Sequence, residues 1–226
     1  MIKTMPKAMP KVIVTLKTPL IVFDWDGTLM DSTGRIVSAM QTTARNLKLP
    51  VPSDDEVRAI IGLSLSNCYR QLFPEVEDHD WITEEYRYQY VDGDKTPSPV
   101  FEGVEAVLAK LKDDGYYLSV ATGKARDGLD RVLNESKLKH FFDFTIASDE
   151  SNSKPDPAML HTLMKHFDVK PEQTIMVGDT SHDLKMAQNA GALGVGVTYG
   201  AHRVDILRQH APLAIINDIR ELIAQQ

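Results

Sequence analysis

The stretch "PLIVFDWDGTLMDS" (residues 19–32) opens as an unbroken apolar run and then sets Asp24 and Asp26 one residue apart where the run must end. A strand of that composition, over 19–24, is expected to be buried on both faces, as central strands of parallel sheets are. Ligands of such sheets bind beyond the carboxyl ends of the strands, so the two acids stand where a site would form. Taken by itself, Asp26-Gly27 is equally a turn dipeptide.

Working outward, helical patterns alternate with short β-branched runs from Pro99 onward. Helix 102–115, closed by Gly115, leads to strand 116–122; helix 126–137 leads to strand 142–148. Helix 157–167, strand 174–178, helix 181–190, strand 194–198 and a last strand and helix from about Leu213 complete the series. This rhythm predicts a doubly wound, mostly parallel α/β sheet with helices on both faces, a Rossmann-like core. Residues 33–97 break it, because "IVSAMQTTARNLKL", "SDDEVRAIIGLS" and "DWITEEYRYQYVD" have helical spacing or composition without a buried strand between them. The predicted organisation is therefore a tail over 1–18, an α/β core from 19–32 and 98–226, and an all-α insert over 33–97.

Bulk properties narrow the function. The chain has 226 residues, with 25 lysines and arginines against 32 acids for a net charge of −7. That balance argues against nucleic acid or an anionic bilayer as the main partner and favours small solutes or proteins. No apolar run approaches a membrane span, and the longest in the basic segment 1–18, Val12 to Val14, is too short for a secretory signal. Cys68 is the only cysteine, which fits a reducing compartment; the cytoplasm is expected, with Cys68 as a small apolar filler.

A second acidic strand end favours a site over a turn. "IMVGDTSHD" (175–183) is another buried run that ends in acid, Asp179, with Asp183 four residues on near a helix start. Helix capping accounts for one such acid, not for two strands each ending in acid. Were the strands neighbours, their carboxylates would repel and be desolvated unless a cation joined them, and all-oxygen ligation suits Mg²⁺. "SVATGK" (119–124) adds Thr122 and the Gly123 amide, suited to phosphate oxygens, and "SNSKPDP" (151–157) adds the cation Lys154.

In order and spacing, "DWDGTLMDS", "ATGK", "SKPDP" and "GDTSHDLKMAQNAGA" resemble the four motifs of the haloacid dehalogenase superfamily, spanning residues 21–192. The insert resembles the helical cap carried by that superfamily, and "IIGLS" with "LFP" (60–74) is similar to caps of phosphoglycolate-phosphatase-like members. The resemblance implies a Mg²⁺-dependent phosphomonoester hydrolase acting through an aspartyl phosphate. Asp24 would be the nucleophile and Asp26 the proton donor and acceptor. Mg²⁺ would be held by Asp24, the Asp26 carbonyl and Asp179, with Asp183 as an outer or water-mediated partner. Thr122, Gly123 and Lys154 would hold the phosphoryl oxygens. Thr28 is grouped with the substrate-side residues as a support for the loop.

Asp26 separates this chain from dehalogenating members, which lack that second acid. Receiver domains also hold an aspartyl phosphate, but their paired acids and accepting aspartate lie on different strands and they have no helical insert. A phosphomutase of the same superfamily and a silent, partner-binding relative are the alternatives. The expected substrate is a small phosphorylated metabolite, 2-phosphoglycolate-like or a sugar phosphate, with specificity drawn from Arg58, Ser64, Asn67, Tyr69 and Arg70. Trp25 is expected to pack under the cap and His182 to lie at the surface or behind the ligands. A monomer is expected, with a dimer as the alternative.

Overall fold

The computed structural model describes residues 20–223, so the tail expected over 1–18 lies outside the described residues. Strand β1 (Leu20–Phe23) is followed by four helices, α1 (Thr33–Asn46), α2 (Asp54–Ile60), α3 (Leu65–Leu72) and α4 (Asp80–Tyr88), the last running into a π-helical turn over Gln89–Gly93. The βα alternation then resumes through α5 (Val104–Asp113), β2 (Tyr117–Ala121), α6 (Arg126–Glu135) and β3 (Phe144–Ile146). It continues with α7 (Ala158–Phe167), β4 (Thr174–Gly178), α8 (Ser181–Ala190), β5 (Leu193–Val197), α9 (Val204–Arg208) and β6 (Ala214–Ile216). The six strands form one parallel sheet in the order β3-β2-β1-β4-β5-β6, which places β1 and β4 side by side at its centre.

Strand β1 is buried throughout, and its alternation sorts the two faces of the sheet. Ile21 and Phe23 join the apolar cluster that includes Val107, Leu108 and Leu129, while Leu20 and Val22 join the opposite cluster with Met159, Leu160 and Met186. Trp25 keeps the parity of Ile21 and Phe23. Its ring is fully buried in the first cluster and meets Phe142 edge-on at 6.3 Å, which corrects the expectation that it packs under the helical insert. Asp24 keeps the parity of Leu20 and Val22 and so emerges on the side where α7 and α8 begin.

Helices α1–α4 bury a cluster of their own, built from residues such as Met40, Val57, Tyr69 and Ile82, which among the described residues only Ala201 joins from beyond the insert. Helix α2 starts at a capping box in which Ser53 accepts from the Glu56 amide and the Glu56 carboxylate accepts from the Ser53 amide. The segments entering and leaving the insert pair with each other: Met30 bridges Val100, and the Asp31 amide donates to the Pro99 carbonyl at 2.8 Å.

Three details differ from the sequence reading. After β6 the described residues form only a 3-10 turn, Ile219–Leu222, in place of the expected helix, and α9 precedes β6 unannounced because five residues are too few for a period to show. Lys48, read as part of a helical stretch, lies just past the end of α1 with a positive φ of 56°.

Candidate active site

The β1–β4 register pairs Phe23 with Val177, and the Asp24 amide continues the ladder by donating to the Val177 carbonyl at 2.9 Å. The two acidic strand ends therefore lie beside each other. Asp24, Asp179 and Asp183 offer carboxylate oxygens that all fall within 4.8 Å of one another, and each residue is buried. Lys154, also buried, reaches into this group with Nζ 2.8 Å from Asp24 Oδ1 and 2.6 Å from Asp183 Oδ1.

Each acid is held differently. Asp183 is the third residue of α8 and closes a capping box with Thr180, whose amide and hydroxyl both donate to Asp183 Oδ2, at 3.0 and 2.7 Å. Asp179 accepts the Thr28 hydroxyl at Oδ1 (2.9 Å) and the Ala201 amide at Oδ2 (2.7 Å). Gly27, with φ of 76°, lets the loop after β1 pass directly over Asp179, since a Cβ there would come within 2.7 Å of the carboxylate carbon. Asp24 is the exception: Lys154 Nζ, 2.8 Å from Oδ1, is its one close side-chain donor among the described residues, and Oδ2 has no hydrogen-bond partner among them.

Burial raises the Asp24 carboxyl to about 7; Lys154 opposes that rise, while Asp183 and Asp26 add to it. Asp179 is likewise pushed well up, by burial first and then by the charges of Asp24 and Asp183. Burial works against the charge of Lys154, yet Asp183 and Asp24 outweigh it and hold the ammonium above the ordinary lysine range. Three carboxylates against a single ammonium, with a buried Asp24 Oδ2 that lacks a donor, fit a hard divalent cation bound through oxygen.

Asp26 faces away from this cluster. Ser32 donates to its Oδ1 at 2.6 Å, and Lys124 Nζ lies 3.0 Å from its Oδ2. Lys124 also reaches the Tyr90 hydroxyl at 3.3 Å and stands 4.7 Å from the centre of that ring. Thr122 and Gly123 follow β2, next to β1; the Thr122 hydroxyl accepts from the Lys124 amide at 3.2 Å.

Lys154 thus contacts Asp24 and Asp183 directly, Asp179 lies within 4.8 Å of both acids, and Asp26, Thr122 and Gly123 stand on the adjoining loops. Thr28 does not face a substrate: it is fully buried and spends its hydrogen on Asp179. Arg58 is not at the site either, lying half-buried on α2 away from the cavity that opens at Asp26. Ser64, Asn67, Tyr69 and Arg70 are also absent from that cavity; Tyr69 is buried inside the insert, and Arg70 pairs with Asn67 at 3.1 Å. Their helical spacing told which residues share a face, not which face meets the core. His182 is half-buried and places Nε2 3.0 Å from the Ala59 carbonyl of the insert. Lys124, Ser32, Thr180 and Tyr90 were not singled out from sequence. Thr180 was readable as the cap of "TSHD"; Lys124 stood inside "ATGK"; Tyr90 had no local signal, because the π-helical turn that aims it does not show in a 3.6-residue period.

A parallel sheet carrying this arrangement at the carboxyl ends of its strands defines a class. Residues 21–197 match the family model described as haloacid dehalogenase-like hydrolase, and the chain belongs to that family, as one of its phosphatases. It is 37% identical over 211 residues to "Probable phosphatase IndB" of Dickeya dadantii, covering 91% of this chain and 92% of that protein. "Pyrophosphatase PpaX" of Bacillus mycoides is 30% identical, with 92% and 96% covered. A crystal structure described as a predicted phosphoglycolate phosphatase, from Haemophilus somnus, superposes with a TM-score of 0.83 at 26% identity, covering 92% of this chain and 97% of that one. No helix among the described residues is long and apolar enough to cross a membrane.

Proposed function

We propose that the protein hydrolyses phosphomonoesters of small metabolites through an aspartyl phosphate on Asp24, with Mg²⁺ as its cation. The observation that carries this reading is the Asp24 carboxylate, buried, with Lys154 Nζ 2.8 Å from Oδ1 and no donor on Oδ2 among the described residues. An oxygen so placed is free to attack phosphorus. Asp24 and Asp179, with the Asp26 carbonyl, would hold Mg²⁺. Bound there, the ion would neutralise the carboxylates and polarise the phosphoryl oxygens.

In the first step Asp24 Oδ forms a bond to phosphorus, the bond from phosphorus to the ester oxygen breaks, and Asp26 gives its proton to the departing alkoxide. In the second, Asp26 takes a proton from water as the water oxygen bonds to phosphorus. The acyl phosphate bond then breaks, which returns Asp24 and releases phosphate. Lys154 orients Asp24, and with Thr122 and the Gly123 amide it receives the phosphoryl oxygens. Asp183 acts through Lys154, which it contacts directly. The helical insert acts as a cap: it meets the core where the Ser64 amide donates to Ser153 Oγ at 2.9 Å, beside Lys154, and so screens the intermediate from bulk water.

The test is release of inorganic phosphate from a panel of phosphate esters with and without Mg²⁺. Ion-dependent release that Asp24→Asn abolishes is the expected result. Retention of activity in that variant overturns the nucleophile assignment, and transfer to a second sugar phosphate in place of water would make the protein a mutase.

A further inference from the structure

The cavity of about 320 Å³ that opens at Asp26 is walled mainly by the insert, with Ile36, Met40, Ile60, Leu63, Tyr86 and Tyr90 facing it. If Asp26 protonates the leaving oxygen, the body of the alcohol must lie in this cavity. We infer that the substrate is the phosphate ester of a predominantly apolar, uncharged, ring-sized alcohol; this rests on the phosphatase reading above.

Three observations carry the inference. The walls are aliphatic and aromatic, and the rings of Tyr86 and Tyr90 stand 5.9 Å apart at 34°, forming one continuous aromatic side. Two of the three cations that line the cavity are already matched to carboxylates of the protein: Lys124 to Asp26 at 3.0 Å, and Arg131 to Glu135 at 3.0 Å. Arg87 is exposed at the margin and Asp127 contributes negative charge. A second anionic group on the substrate, such as the carboxylate of phosphoglycolate, would find no unpaired buried cation lining the cavity, only the exposed Arg87, and would be desolvated against apolar walls. Size points the same way, because glycolate, scarcely larger than acetate, would leave most of such a cavity unfilled. A sugar would fill it, but the aliphatic part of the wall cannot replace the water hydrogen bonds of the hydroxyls set against it.

Ethyl, butyl, hexyl and benzyl phosphates are esters of primary alcohols, so their series varies apolar bulk with similar leaving-group chemistry. With Mg²⁺ present, kcat/KM should rise roughly three- to fourfold per methylene until the cavity is filled. Benzyl phosphate should exceed 2-phosphoglycolate and glucose 6-phosphate by about tenfold or more. Leu65→Trp, which adds bulk to the wall, should flatten the rise; Val91→Trp, at a wall position 42% exposed, serves if the first variant does not fold. A flat alkyl series, or a preference for phosphoglycolate or the sugar phosphate, overturns this inference and leaves the phosphatase reading standing. An unchanged slope in a folded wall variant also overturns it. Failure to hydrolyse even acetyl phosphate would overturn the phosphatase reading itself.

Discussion

Thr28 donates its hydroxyl to Asp179 at 2.9 Å across 151 positions of sequence, tying the loop after β1 to the end of β4. Thr28→Val keeps the volume and removes the hydrogen, so Asp179 loses one of the two donors that aim it. The expected outcome is a weakening of Mg²⁺ affinity by about 10–100-fold with kcat at saturating ion largely retained. A titration of activity against free Mg²⁺ measures both.

Lys154→Met should destabilise the cation-free fold by about 3–5 kcal/mol, because it leaves Asp24 and Asp183 buried without their shared ammonium. Urea unfolding in EDTA reads the loss. Mg²⁺ should recover part of it, since the ion compensates the same charges.

Asp24→Asn should remove turnover and also raise the stability of the cation-free protein. The buried carboxyl of Asp24 is forced up to about 7 by desolvation, and the neutral amide relieves that burden. Higher Tm in EDTA together with a smaller Mg²⁺-induced rise is the expected pair of readings.

The acids also fix the sign of a pH dependence. In the cation-free fold Asp24 and Asp179 hold protons more tightly than the unfolded chain does, so stability falls as pH rises from near 3.8 toward about 7. A divalent cation competes with those protons. Its increment in Tm should therefore be small at pH 5 and large at pH 7.5, and thermal unfolding with and without Mg²⁺ at the two values tests this.

Gly123→Ala addresses the contact between core and insert. A Cβ at Gly123 would stand 2.6 Å from the Gly62 carbonyl and closer still to that of Leu63, so the insert must shift by about an ångström. A displacement of that order is expected to cost about a hundredfold in kcat/KM. The core packing is untouched, so urea stability should change little.

The parts of the molecule readable from sequence are those whose information is local. The apolar run into Asp24, the second into Asp179 and the alternation around them prescribe a parallel sheet, and Asp179 and Asp183 flank a helix start that any capping rule would find. What was not readable depends on approach between distant surfaces. Arg58 and Tyr69 have the chemistry of specificity residues, but neither lines the cavity, Tyr69 being buried in the insert's own cluster and Arg58 half-buried on α2. Tyr90 reaches Lys124 only because the helical period widens after α4. Trp25 went to the core because strand alternation persists two residues beyond the last ladder pair, which outweighs its proximity to the acids.

The pairing of Met30 with Val100, and of Asp31 with Pro99, brings the two ends of the insert to one seam. A different bundle could be grafted at that seam without any strand exchanging neighbours. Natural variation can therefore redesign what surrounds the alcohol while the bond-breaking apparatus is inherited unchanged, which gives such a scaffold a ready path to new substrates.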